Sequence, residues 1–216
     1  AFPNAELVDG GPAIQAAKRV KTPEEVDAVR AAIGVAEAGL AAAVAGLRPD
    51  VSERELTAAF MQAMASRGVT TPARQDVARF TAPDLVAFNA GVVADGYAGE
   101  VGRTWPINGG RDFTRCDALL ARLVDACQPG APGSALLDAY ADEPLPSVPV
   151  ARGLGLGFDD PVIVRDLPET AAKERLDPGV VLAVTAVAGA VSATEVVLVT
   201  DDGPQVLTSS PFPGRS

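Results

Sequence analysis

The chain has 216 residues, 18 basic and 28 acidic side chains, a formal net charge of −10, two cysteines and no histidine. Without imidazole there is no Ser-His-Asp or Cys-His catalysis and no His-ligated metal. Two thiols are too few for a four-thiolate zinc site, so any metal would have to be a hard cation held by oxygen. The acidic balance argues against nucleic acid, whose phosphates need a basic face.

The length fits one domain with a short lead-in. No run approaches the roughly 18 apolar residues of a membrane span, and Ala1–Glu6 lacks the basic and apolar regions of a secretion signal. Residues 1–21 read as a mixed lead-in or linker, with Gly10-Gly11-Pro12 as a breaker. Thr22-Pro23-Glu24-Glu25 then combines a capping threonine, proline in the first turn and glutamate three residues after the cap. Val26, Val29, Ile33, Leu40 and Val44 follow at helical spacing, so a helix to about Gly46 is expected. Ser52-Glu53-Arg54-Glu55 is a second capping box, opening a helix that stops at Gly68.

The pattern next turns to strands. Leu85–Asn89, Val92-Val93, an Asp95-Gly96 turn and Tyr97–Ile107 read as a hairpin or meander. A third helix spans about Thr114–Cys127, with one or two further turns over Ser134–Tyr140. Cys116 and Cys127 cannot pair inside one helix, and reduced, buried thiols fit a cytoplasmic protein. Pro144, Pro146 and Pro149 make the following stretch irregular. Strands are expected at Ala151–Phe158, Val162–Arg165, Val180–Ala188, Ser192–Thr200 and Gln205–Ser209. The glycines at 153, 155 and 157 suit close strand packing. The order of elements implies an α+β fold, with helices on one face of a curved, mostly antiparallel sheet.

Seven segments in chain order, from about residue 18 to residue 213, resemble the pita-bread metallopeptidases. That family includes Xaa-Pro aminopeptidases, prolidases, methionine aminopeptidases and creatinase. The segments are Lys21–Val26, Leu47–Glu53 (with Asp50 in place of a glycine), Asp84–Gly91, Gly96–Pro106, Ala151–Leu156, Leu176–Thr185 and Ala193–Thr200. The resemblance implies a pita-bread domain over 22–213 and a homodimer. It also implies a cleft in which two Asp, one His and two Glu hold two divalent metals. Carried over position by position, those ligands become Asn89, Glu100, Arg152, Thr185 and Thr194. Only Glu100 keeps a carboxylate. Neutral amide and hydroxyl oxygens bind hard cations weakly, and a guanidinium repels them. The expectation is therefore no metal, no cofactor and no catalytic residue.

In place of the metals, an Arg152–Glu100 pair is expected to brace the cleft, with Asn89, Thr185 and Thr194 hydrogen-bonding around it. The first functional reading is a catalytically inactive aminopeptidase-like scaffold or binding module. A second is a binder of a small carboxylate or peptide terminus through Arg152. A third is a metal-independent hydrolase or lyase using Glu100, or the Asp159-Asp160 pair, as base.

Overall fold

Both capping boxes form. Thr22 Oγ1 accepts from the Glu25 amide at 3.3 Å while a Glu25 carboxylate oxygen accepts from the Thr22 amide at 2.8 Å. Ser52 and Glu55 repeat the arrangement at 3.2 and 2.9 Å. They open α2, Pro23–Ala45, and α3, Glu53–Ala65. The computed structural model describes residues 8–166 and 168–213, leaving out the side chains of residues 158, 159, 170 and 171.

Ahead of α2 lies α1, Gly11–Arg19, which corrects the reading of Gly10-Gly11-Pro12 as a breaker. Proline in the first turn needs no amide partner and has its φ preset for a helix, so the same residues start one. The lead-in is also tied to the sheet, because the Lys21 amide donates to the Gly179 carbonyl at 2.9 Å and Val20 bridges Val180.

The strands are β1 (Thr71–Pro72), β2 (Ala78–Ala82), β3 (Leu85–Ala94), β4 (Tyr97–Pro106), β5 (Ala151–Leu154), β6 (Phe158–Ile163), β7 (Val181–Ala188), β8 (Val191–Thr200) and β9 (Gly203–Val206). One antiparallel sheet runs β1-β3-β4-β8-β7-β5-β6, with β2 also on β3 and β9 on β8. The expected hairpin is β3–β4, turning at Asp95-Gly96 with both residues at positive φ. Two short strands were not expected. β1 and β2 lie on the edge of β3, in the stretch between Gly68 and Asp84 that carries no clear alternation. The strand expected at Val162–Arg165 begins earlier and ends at Ile163, and the strand from Ala151 stops at Leu154. There the bend at residues 155–157 contains Gly157 at φ +124°, so that glycine serves a left-handed turn and not close packing. The last strand likewise sits earlier than Gln205–Ser209.

Each half of the sheet puts its apolar side on helices. Val86, Phe88, Ala90, Val92 and Val101 pack with Ala32, Ala36 and Leu40 of α2 and Leu56, Phe60 and Met64 of α3. Leu182, Val184, Ala186, Ala193 and Val197 pack with Leu119, Leu120 and Leu123 of α4, Thr114–Ala126. Burying the Val, Leu, Phe and Met side chains among these stabilises by about 1.5–3 kcal/mol each. α2 lies so close to β4 that a Cβ on Gly99 would collide with the backbone of Ala32 and Ile33. Two short helices, α5 (Ser134–Asp138) and α6 (Glu169–Lys173), complete the chain; α6 was not expected.

α2 corrects the reading of apolar runs. It is long and apolar enough to cross a membrane by length and composition alone. Here Val29, Ala32, Ile33, Ala36, Leu40 and Ala43 are buried in the protein core, and Glu24, Glu25, Asp27, Arg30 and Glu37 are spaced along the same helix. That is the pattern of an amphipathic core helix.

Candidate functional site

Opposite the helices, the two halves of the sheet share a cavity of about 540 Å³. Side chains alternate along a strand, so the residues between the core-facing ones look into it: Ala87 and Asn89, Glu100 and Gly102, Ser192 and Thr194, Thr185 and Val187. Strand register aligns four of these into one row. Asn89 pairs with Gly102, Gly102 with Thr194, and Thr194 with Thr185, across β3, β4, β8 and β7. Arg152 enters from β5, where it pairs with Ala183. All five residues singled out from the sequence thus face one cavity.

Arg152 donates through Nη2 to Glu100 Oε2, and both side chains are about nine-tenths buried, at 10% and 7% exposure. The three polar residues expected around this pair bond elsewhere. Thr185 and Thr194 share a hydrogen bond between their hydroxyls, 3.0 Å apart. Asn89 donates through Nδ2 to the carbonyl and the Oδ2 of Asp76, each at 3.3 Å. Direct strand pairing brings the threonines within reach of each other, and Asp76 reaches Asn89 from the loop before β2.

Gly102 sits at the centre of the row. A Cβ there would lie 2.8 Å from both Cβ and Oγ1 of Thr194, so no side chain fits between Asn89 and Thr194.

The sequence reading missed several contributors. Arg74 and Asp76 form a two-point ion pair at the cavity, Nε to Oδ1 and Nη2 to Oδ2, each 3.2 Å. Arg79 and Thr81 of β2 also line it. Their signal was hidden because β2 lies in the segment without recognisable strand alternation. Ser147, Val148 and Pro149 close the opposite rim.

On the other side of β4, Arg103 is 1% exposed and holds the seam between the halves, where only two residue pairs join β4 to β8. It donates to the carbonyls of Gly102, Thr194 and Ser210 at 2.8, 2.8 and 2.9 Å and to Glu195 at 2.8 Å. Tyr140, whose hydroxyl burial pushes above its usual pKa, donates to the Thr185 carbonyl at 2.8 Å. The back of the site is therefore fixed by buried hydrogen bonds.

Asp160 is exposed, and the side chain of Asp159, the other member of the acid/base pair considered from the sequence, lies outside the described residues.

A family model for metallopeptidase family M24 matches residues 71–201, more than half of the chain, and the chain belongs to that family. The structure is similar to the prolidase from Pyrococcus furiosus, with a TM-score of 0.80, 20% identity, and coverage of 93% of this chain and 68% of that one. It is similar to the Xaa-Pro dipeptidase from Bacillus anthracis, with a TM-score of 0.82, 19% identity, and coverage of 97% and 67%. For the X-Pro aminopeptidase from Thermotoga maritima the TM-score is 0.81 at 17% identity, with coverage of 97% and 67%. No curated protein matches the chain in sequence. The fold is the pita-bread α+β fold of these enzymes.

The residues present do not fit the dinuclear metal centre that the family name implies. Glu100 is already bonded to a guanidinium, Thr185 and Thr194 to each other, and Asn89 to Asp76. Among the described residues, no group of three or more His, Cys, Asp or Glu could hold a metal ion. Two adjacent dications need several anionic oxygens, and this donor set offers one carboxylate beside a fixed positive charge.

Proposed function

We propose that this chain is a catalytically inactive M24 domain whose former metal cleft serves as a binding module or scaffold. The observation that carries the reading is the buried Arg152–Glu100 pair at the position-by-position equivalents of a histidine and an aspartate ligand. A guanidinium does not give up its proton at any ordinary pH and has no lone pair for a metal. Its charge occupies the space a dication would, and it takes up the single remaining carboxylate. The hydroxyl pair supports the same reading, since one threonine donates to the other and neither offers an anionic oxygen to a metal.

Elemental analysis of the purified chain should find no stoichiometric Mn, Co or Zn, and Xaa-Pro dipeptides with added Mn²⁺ should remain uncleaved. Turnover abolished by Glu100→Ala would overturn the reading. A homodimer and a cytoplasmic location belong to the same proposal; sedimentation of the purified chain tests the first, and localisation of the tagged protein in cells the second.

A further inference from the structure

Among the described residues, matching off the charges that line the cleft leaves one cation over. Glu100 takes Arg152, and Asp76 takes Arg74 through both guanidinium edges. Arg79 lines the same cleft from β2, beside Ala87, and makes no ion pair or hydrogen bond among the described residues. The surplus runs against the chain's overall charge of −10. A second feature points to a ligand. Thr81 Oγ1, two residues along β2, is buried, borders the cleft and has no partner among the described residues. Buried hydroxyls are normally satisfied, and one left open on the same strand and cavity as a lone arginine is a donor awaiting an acceptor.

We propose that the cleft binds a small monocarboxylate with an apolar body, its carboxylate on Arg79 and within reach of Thr81. This rests on the reading of the domain as a metal-free binding module, and it moves the anion site from Arg152, whose charge Glu100 already holds, to β2. One surplus positive charge matches one carboxylate, and the planar guanidinium fork fits its two oxygens. Val148, Pro149, Val187 and Val191 supply apolar wall for the rest of the molecule, and the cavity volume falls within the range of small-ligand sites.

Isothermal titration of the whole chain, at fixed ionic strength because exposed charges are screened, should show saturable binding of hexanoate and none of hexanamide. Arg79→Gln should weaken hexanoate by about tenfold or more, while leaving the urea midpoint unchanged because Arg79 is exposed. Thr81→Val should give a smaller loss. No saturable hexanoate binding, preference for inorganic phosphate, or an unchanged affinity in Arg79→Gln would each overturn the proposal. If hexanoate fails while the protein remains metal-free and inactive, only the ligand assignment falls. Stoichiometric metal with turnover would instead remove the module reading beneath it.

Discussion

The hydroxyl oxygens of Thr185 and Thr194 lie 3.0 Å apart on directly paired positions of β7 and β8. The family resemblance puts two metal-binding glutamates at those positions. Two carboxylates so close would repel without cations between them, whereas two hydroxyls donate and accept in turn. The Arg152–Glu100 pair solves the same problem by charge. These four side chains are thus held by two different local means, one neutral and one ionic.

The ionic pair gives the first expectation. Both members are buried, so removing one charge of the pair alone, by Glu100→Gln or Arg152→Met, should cost about 3–5 kcal/mol. The double variant removes both charges and should recover most of that loss. Urea unfolding of the two single variants and the double variant measures the coupling; additive losses would show that the side chains do not interact.

Backbone strain in the α2–α3 turn gives the second. Asp50 has φ +64°, a left-handed conformation, where the family resemblance has glycine. Asp50→Gly should raise stability by up to about 1 kcal/mol, since relief of the left-handed cost is partly offset by a freer unfolded chain. Asp50→Val should lower it by about 1–2 kcal/mol, because a β-branched residue tolerates this region poorly. The urea midpoints should fall in the order Gly, Asp, Val.

The α3 cap gives a pH dependence. Hydrogen bonds from Ser52, first its side chain and then its backbone, together with Arg48, hold the Glu55 carboxyl at about 2, down from 4.5. A carboxyl with a depressed folded pKa stabilises above its unfolded pKa and loses that contribution as pH falls through the folded value. The stability gap between wild type and Glu55→Gln should therefore be full at pH 6 and shrink between pH 4.5 and 2. A gap that stays constant over that range would show that the ionised carboxylate is not what caps the helix.

Thiol chemistry gives the last. Burial pushes both Cys116 and Cys127 up to about 12. The thiolate is the reactive form, so native protein at pH 8 should react with a disulfide reagent only as fast as it unfolds. Denaturant should release two thiols at once. Rapid labelling of either cysteine in the folded protein would place it at the surface.

Much of the fold was legible locally. Thr22/Glu25 and Ser52/Glu55 fix where α2 and α3 start, because a cap is satisfied by atoms three residues away. Asp95-Gly96 fixes the β3–β4 turn in the same way, and the ordered motifs placed Asn89, Glu100, Arg152, Thr185 and Thr194 in one cleft. Thr71–Ala82 was not legible. Its strands are short, with a bulge between Phe80 and Ala82, and are held by pairing to β3, so the side-chain pattern carries little signal. With that edge went Asp76, Arg74, Arg79 and Thr81, one side of the cleft's polar wall.

The absence of histidine and the loss of all but one carboxylate at the family's metal positions were determined by the sequence alone. Composition and the order of the motifs suffice to say which ligand types are missing at the positions the resemblance points to. What replaces it was decided by the tertiary structure. Register across β3, β4, β8 and β7 turns two threonines toward each other and Asn89 toward Asp76, and the pairing of Asp76 with Arg74 leaves Arg79 without a partner among the described residues. Hydrogen-bond partners depend on distances of about 3 Å between residues far apart in the chain, and only the folded sheet sets those.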